Sequence, residues 1–304
     1  MSAFQPLPGI YEPSAIQQLP DGRFLVVEDE KDHPMSLLSL SSGGRVQVAP
    51  LNPAPAGDDA GLGELNDLEA LALDPSGRVY AMTSHSRTSE GREKPSRHKL
   101  IRFRVEGGRI QAAELCRTLK DALINTYPVM AAAAQVLDVK NQGGLNIEAL
   151  EMAQEESALL IGFRSPLLEG RAVIARLENL DAIFSDGEAP RLGRSLVQLD
   201  LGGHGIRGMA WCSALAGYLV ISGPVARDVS QFRLWLWTGN PAEPAQAMAV
   251  PGLEGLERAE GISTARLDGK TFLILVSDDG DRKSGRAAQY VLIAPESLRP
   301  ASAG

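Results

Sequence analysis

The sequence predicts an all-β fold, a β-propeller of five four-stranded blades, with six as the alternative. Three observations lead there. A segment recurs five times, each copy reads as strand–turn–strand, and apolar runs after the copies supply further strands. The copies are PSAIQQLPDGRFLVVEDE (13–30), DLEALALDPSGRVYAMTSH (67–85), IEALEMAQEESALLIGFRS (147–165), IRGMAWCSALAGYLVISGP (206–224) and AEGISTARLDGKTFLILVSDD (259–279). Each opens on a small residue followed by Ile, Leu or Met, passes a polar turn, then enters a run such as FLVV or YLVI. Short runs of large apolar and β-branched residues bounded by Gly, Pro, Asp or Ser are the pattern of buried strands. Asp21-Gly22, Ser76-Gly77 and Asp268-Gly269 supply hairpin turns.

The remaining strands follow in order. The first copy is followed by 36–41 and 45–49, the second by 100–105 and 109–115, the third by 172–177 and 195–199, and the fourth by 232–237 and 245–250. Only 289–294 follows the fifth, so that blade lacks a strand. The segment before Pro13 has no partner of its own. Pairing the two closes the ring and removes exposed sheet edges. The anchors Ile16, Leu71, Leu150, Met209 and Ile262 are spaced 55, 79, 59 and 53 residues apart. The long interval holds an insertion near 119–139, where Pro128 precedes an Ala-rich stretch that reads as a short helix. Trp235 and Trp237 alternate with Leu234 and Leu236 and read as blade packing. All 304 residues are expected to form one domain.

Composition narrows the function. With 44% hydrophobic and 22% charged residues the chain can build a core, which excludes disordered and collagen-like classes. A net charge of −8 repels phosphate backbones and argues against nucleic acid. Two cysteines, Cys116 and Cys212, make neither a disulfide framework nor a paired metal motif, and read as buried thiols. No secretory signal and no membrane-spanning run is visible, so a cytoplasmic location and no membrane partner are expected. The glycine pattern of 203–208 opens a strand instead of following one, so it is not a dinucleotide fingerprint. The Asp-rich run 277–281 lacks the spacing of a calcium-binding helix–loop–helix loop. Serine-nucleophile, zinc-protease and phosphate-loop motifs are missing.

Three stretches resemble a known family: GLNIEALEMAQEESALLIGFRSPLLEGRAVIARL (144–177), LDLGGHGIRGMAW (199–211) and GYLVISGP (217–224). Together they are similar to a bacterial family known only as domain of unknown function 3616, which implies the fold and leaves activity open. Glu69-Ala70, Glu148-Ala149 and Glu260-Gly261 also resemble strand openings of the esterase-like, phytase-like propellers. That likeness implies phosphoester hydrolysis without supplying a transferable nucleophile or metal motif.

Strand geometry gathers the candidate site. The start of an innermost strand and the end of its antiparallel neighbour lie at one end of a blade. Ser14, Glu69, Glu148, Arg207 and Glu260 are equivalent and should ring the mouth of the central channel. The second strands deliver Asp29, His85, Arg164, Ser165, Asp278 and Asp279 to the same end. Glu69, Glu148 and Glu260, with Asn146 and Asp67 upstream, are hard oxygen donors suited to Ca²⁺ or Mg²⁺, and a metal there could activate water. The structural alternative is that Arg207, between Glu148 and Glu260 in ring order, pairs with both. Arg164 and Arg207 could grip a carboxylate or phosphate; Asn146 and Asp278 complete the binding set. His85 and His204 are candidates for a general base. The basic loop 86–99 reads as a solvated loop over the mouth that could attract an anion. The leading reading is a propeller that binds a small anionic or metal-bridged ligand. The alternatives are a divalent-metal hydrolase of phosphoesters, esters or lactones, and a protein-interaction scaffold using the rim.

Overall fold

The computed structural model describes residues 3–29, 34–41, 43–51, 65–154, 157–226, 232–253, 255–256 and 258–301. The chain starts with a short strand, β1 (Gln5–Leu7), and then builds blades in sequence order. Blade one is β2 (Pro13–Gln18), β3 (Phe24–Glu28), β4 (Met35–Leu40) and β5 (Val46–Pro50). Blade two is β6 (Leu68–Leu73), β7 (Val79–Thr83), β8 (Leu100–Glu106) and β9 (Arg109–Cys116). Three helices follow: α1 (Leu119–Thr126), α2 (Pro128–Ala134) and α3 (Val139–Gln142). Blade three is β10 (Asn146–Met152), β11 (Leu159–Ser165), β12 (Ala172–Leu177) and β13 (Val197–Leu199), with α4 (Leu180–Ser185) before its last strand. Blade four is β14 (Gly205–Cys212), β15 (Gly217–Gly223), β16 (Arg233–Trp237) and β17 (Gln246–Ala249). Blade five is β18 (Ala259–Leu267), β19 (Lys270–Ser277) and β20 (Ala288–Ile293). Its fourth strand is β1, with Gln5 opposite Tyr290 and Leu7 opposite Ala288.

Five blades and closure by the N-terminal segment match the sequence reading. Three details differ. The insertion is a pair of helices and a short third turn, with Pro128 at the start of α2, where its missing N–H costs nothing. The α4 helix sits between the outer strands of blade three. A final strand, β21 (Arg299–Pro300), pairs with β17 and covers the outer edge of blade four.

The core lies between blades. Its five apolar clusters each join one pair of adjacent blades, and each second strand serves two of them. In β3, Phe24 and Val26 face blade five while Leu25 and Val27 face blade two. Period-two alternation with both faces covered explains why these strands read as unbroken apolar runs. The α1 and α2 helices pack on the cluster between blades two and three through Leu119, Leu123, Met130 and Ala133. Trp235 and Trp237 are buried between blades three and four.

The innermost strands β2, β6, β10, β14 and β18 touch in ring order. Their anchors Ile16, Leu71, Leu150, Met209 and Ile262 line a shaft of about 10 Å³, room for at most one water. Close approach demands glycine at two points. A Cβ on Gly208 would strike the carbonyl oxygen of Glu260, and one on Gly261 would lie 3.0 Å from Cα of Ala15. At the far end of the shaft, side chains cap neighbouring strands. Gln18 accepts from Arg266 N at 2.6 Å, and Glu151 accepts from Trp211 N at 2.9 Å and Met152 N at 2.7 Å. Burial pushes the Glu151 carboxyl up to about 7 despite these bonds.

Leu7, fully buried on the closing strand, should on replacement by alanine destabilise the fold by roughly 2–5 kcal/mol, read by urea unfolding. Glu151 should impose a pH slope. Its folded pKa lies above the ordinary value of 4.5, so the folded state holds the extra proton and stability declines as pH rises from 4.5 to about 7. Glu151→Gln should make that decline smaller by removing the Glu151 contribution, measured as the unfolding midpoint at pH 5 and pH 8.

Candidate functional site

Every innermost strand carries a register shift at the same place. Partnering skips from Pro13 to Ala15, Leu68 to Ala70, Ile147 to Ala149, Ile206 to Gly208 and Ala259 to Gly261. The skipped residues are Ser14, Glu69, Glu148, Arg207 and Glu260. A bulge leaves one residue outside the ladder and re-aims its side chain. Here it sends five equivalent side chains to the rim of one cavity, about 320 Å³ in volume, above the shaft. Asp29, Asp67, Asn146, Arg164 and Asp278 share that rim.

One wall is built on Arg207, whose residue is only 6% exposed. Its Nε lies 2.8 Å from Glu148 Oε2, a charge-to-charge contact, and its Nη2 is held by Glu260 Oε1. Asn146 Nδ2 donates to Glu148 Oε1 at 2.8 Å and Arg164 Nη1 to the same oxygen at 3.2 Å. Arg164 Nε donates to Pro224 O at 3.1 Å. The Arg207 Cζ stands 5.3 Å from the centre of the Phe232 ring. Burial pulls the Arg207 guanidinium below its ordinary value, and Glu148 acts against that. Four buried atoms on this wall have no hydrogen-bond partner among the described residues: Arg207 Nε and Glu148 Oε2, which face each other as an ion pair, and Arg207 Nη1 and Asn146 Oδ1. Orphans such as the last two cost about 1–3 kcal/mol each.

The opposite wall is acidic. Asp29, Asp67 and Glu69 each offer an oxygen, all within 4.8 Å of one another. Asp67 is pinned by Arg97 Nη1 at 3.0 Å, by the hydroxyl of Ser84 and by Ser86 Oγ at 3.3 Å. Its backbone is left-handed, φ 64°, an uncommon state for a residue other than glycine. Burial first, then Asp67 beside it, pushes the Asp29 carboxyl up to about 8. Burial, Asp67 and Glu148 hold Glu69 well above the usual carboxylate range. Burial also raises Asp278. Three hard oxygen donors at this spacing, with carboxyls that repel one another, fit Ca²⁺ or Mg²⁺.

The structure therefore divides the predicted acids. Glu148 and Glu260 face Arg207, whereas Glu69 stands with Asp29 and Asp67. Arg164, Asn146 and Asp278 reach the rim. The histidines are placed elsewhere. His85 is fully buried, donates from Nδ1 to Thr83 O at 2.8 Å and is pushed down to about 3 by burial. His204 Nδ1 lies 3.4 Å from Ser222 Oγ, and neither ring lines the cavity. Asp279 is taken up by Ser277 Oγ at 2.7 Å and Gln289 Nε2 at 2.6 Å.

The basic loop is a correction to the sequence reading. It is pinned, not a solvated strand of positive charge. Lys120 of α1 reaches Glu93 at 2.6 Å, Arg87 reaches the same carboxylate at 3.1 Å, and Arg87 Nε donates to Ala134 O of α2 at 2.9 Å. The helical insertion thereby holds Ser86, Arg87, Ser89 and Arg97 over the mouth. Arg97 was legible only as part of a charge run; its role comes from Asp67, thirty residues earlier.

Fold and site define a propeller with a charged, asymmetric channel mouth. Residues 62–294 match the family described as "Protein of unknown function (DUF3616)", and the chain belongs to it. No curated protein matches the chain. Among solved structures it is similar to a glucose dehydrogenase at 12% identity, covering 96% of this chain and 99% of that one, with a TM-score of 0.49. An aldose sugar dehydrogenase from Streptomyces coelicolor, in its PQQ-bound form, gives 15% identity, 96% and 98% coverage and 0.45. The PQQ domain of pyranose dehydrogenase from Coprinopsis cinerea gives 9%, 95% coverage of both chains and 0.48. Similarity at this level assigns no chemistry to the present chain.

Glu148→Ala should destabilise the protein by about 3–5 kcal/mol, because it removes one of the two carboxylates that compensate a buried guanidinium. Glu148→Ala combined with Arg207→Met should cost less than the sum of the two single changes, in a double-mutant cycle followed by urea unfolding.

Proposed function

We propose that the channel mouth binds a small anionic ligand bridged by a divalent cation, Ca²⁺ or Mg²⁺. The observation that carries this reading is the cluster of Asp29, Asp67 and Glu69 oxygens within 4.8 Å of one another, in the same cavity as Arg164 and Arg207. Seven carboxyl groups and four guanidiniums line the cavity among the described residues. An anion entering alone meets net negative charge, so its binding is coupled to a cation that offsets the acidic wall. The acids Asp29, Asp67 and Glu69 would hold the cation, while Arg164 and Arg207 face the anion. Such a cation supplies a Lewis-acid contact to the bound oxygen. Arg97 and the Ser84 and Ser86 hydroxyls fix the Asp67 carboxylate so that it needs little reorganisation on binding. The alternative of metal-assisted hydrolysis gains no positioned base from His85 or His204, since both lie off the cavity.

Isothermal titration of chelator-treated protein with CaCl₂ and MgCl₂ tests the reading. One cation per chain should bind, and Asp67→Asn or Glu69→Gln should weaken it by about tenfold or more. Affinity should rise with pH as the raised carboxyls of Asp29 and Glu69 lose their protons. Failure of both cations to bind at millimolar concentration, or unchanged binding in both variants, would discard it.

A further inference from the structure

We infer that the anion is a small hydroxycarboxylate, an acid with a hydroxyl close to its carboxylate, recognised jointly by Arg207 Nη1 and Asn146 Oδ1. The inference rests on the mouth-binding reading above and adds the ligand's class.

The two orphaned atoms carry the argument. Arg207 and Asn146 are 6% and 9% exposed and both line the cavity; with Arg207 Nε set against Glu148 Oε2, Arg207 Nη1 and Asn146 Oδ1 remain as buried polar atoms without a hydrogen-bond partner. Neither atom is open to water, so solvent does not compensate it. Buried polar atoms are nearly always paired, and an orphan calls for a specific cause. Their hydrogen-bonding senses are opposite. Arg207 Nη1 can only donate. The Asn146 amide is oriented by Glu148, whose carboxylate only accepts, so Nδ2 faces Glu148 and Oδ1 is the acceptor left over.

A ligand that serves both must present an acceptor to Arg207 and a donor to Asn146. Both side chains contact the one Glu148 carboxylate, Asn146 at Oε1 and Arg207 at Oε2, which keeps the two ligand groups close together. A carboxylate oxygen answers Arg207, and a neighbouring hydroxyl answers Asn146. A plain carboxylate leaves Oδ1 orphaned, and a polyol brings no charge to the cation or the guanidinium. Hydroxycarboxylates also chelate hard divalent ions through the same two groups, which suits the acidic wall opposite. Contact requires the two side chains to turn toward the cavity, a rotamer change common on binding.

Matched acids test this with the intact protein. Titrations in saturating MgCl₂ or CaCl₂ compare lactate with propionate and malate with succinate, with alanine and aspartate offering an ammonium in place of the hydroxyl. The hydroxy acids should bind at least about tenfold more tightly than their deoxy partners, because the deoxy acid leaves a buried acceptor unmatched. Asn146→Leu, checked for unchanged circular dichroism, should erase that preference without altering cation binding. Equal affinity for hydroxy and deoxy acids overturns the inference and leaves the cation reading intact. So does a preference that survives Asn146→Leu, tighter binding of the amino acids, or no acid binding up to about 10 mM in protein that binds the cation. Protein that binds neither cation nor acid overturns both readings.

Discussion

The mouth depends on one electrostatic constraint, the compensation of a guanidinium buried at a single position of a five-fold ring. Five equivalent bulges deliver five side chains, and had all been acidic the rim would be a symmetric ring of repulsion. Arg207 breaks the symmetry. It draws Glu148 and Glu260 to itself, and Arg164 joins them on the Glu148 side. Glu69 is then left to the acids of blades one and two. Charge is sorted into two walls by which residue occupies the fourth position, while the backbone scaffold stays regular.

The second determinant is closeness. Blades can converge on so narrow a shaft only where the inner strands lack side chains at their tightest approach, as at Gly208 and Gly261. That compactness makes the bulges useful, since a side chain released from the ladder has nowhere to go but the open end. The apolar anchors below it seal the shaft, so the cavity is a cup and not a tunnel.

Much of this was legible in the sequence because it is local. Strand runs, turn dipeptides and the small-then-large anchor pattern repeat, and alignment of the copies places Ser14, Glu69, Glu148, Arg207 and Glu260 in register. The unpartnered start and the short fifth blade together imply closure. What escaped is what tertiary contact creates. A bulge leaves no mark on composition. Asp29 and Asp67 come from different blades, and nothing in their flanking residues announces that they meet. The loop 86–99 looks solvated by charge count, yet Lys120 and Ala134, on helices that follow it, hold it in place. His85 carried a polar, mouth-like position in the alignment but turns its ring onto Thr83 O and away from solvent.

The pairing of Gln5 with Tyr290 joins residues 285 apart in sequence. On a ribosome, β1 emerges before four whole blades and its partner after them, so those blades can assemble while the ring stays ajar. Through that interval β1 offers bare backbone and a leucine to any extended peptide nearby, and β20 shows a raw edge once made. A longer interval between the two thus lengthens exposure to chaperones and to misjoined copies, and the seam between β1 and β20 is where such chains would swap.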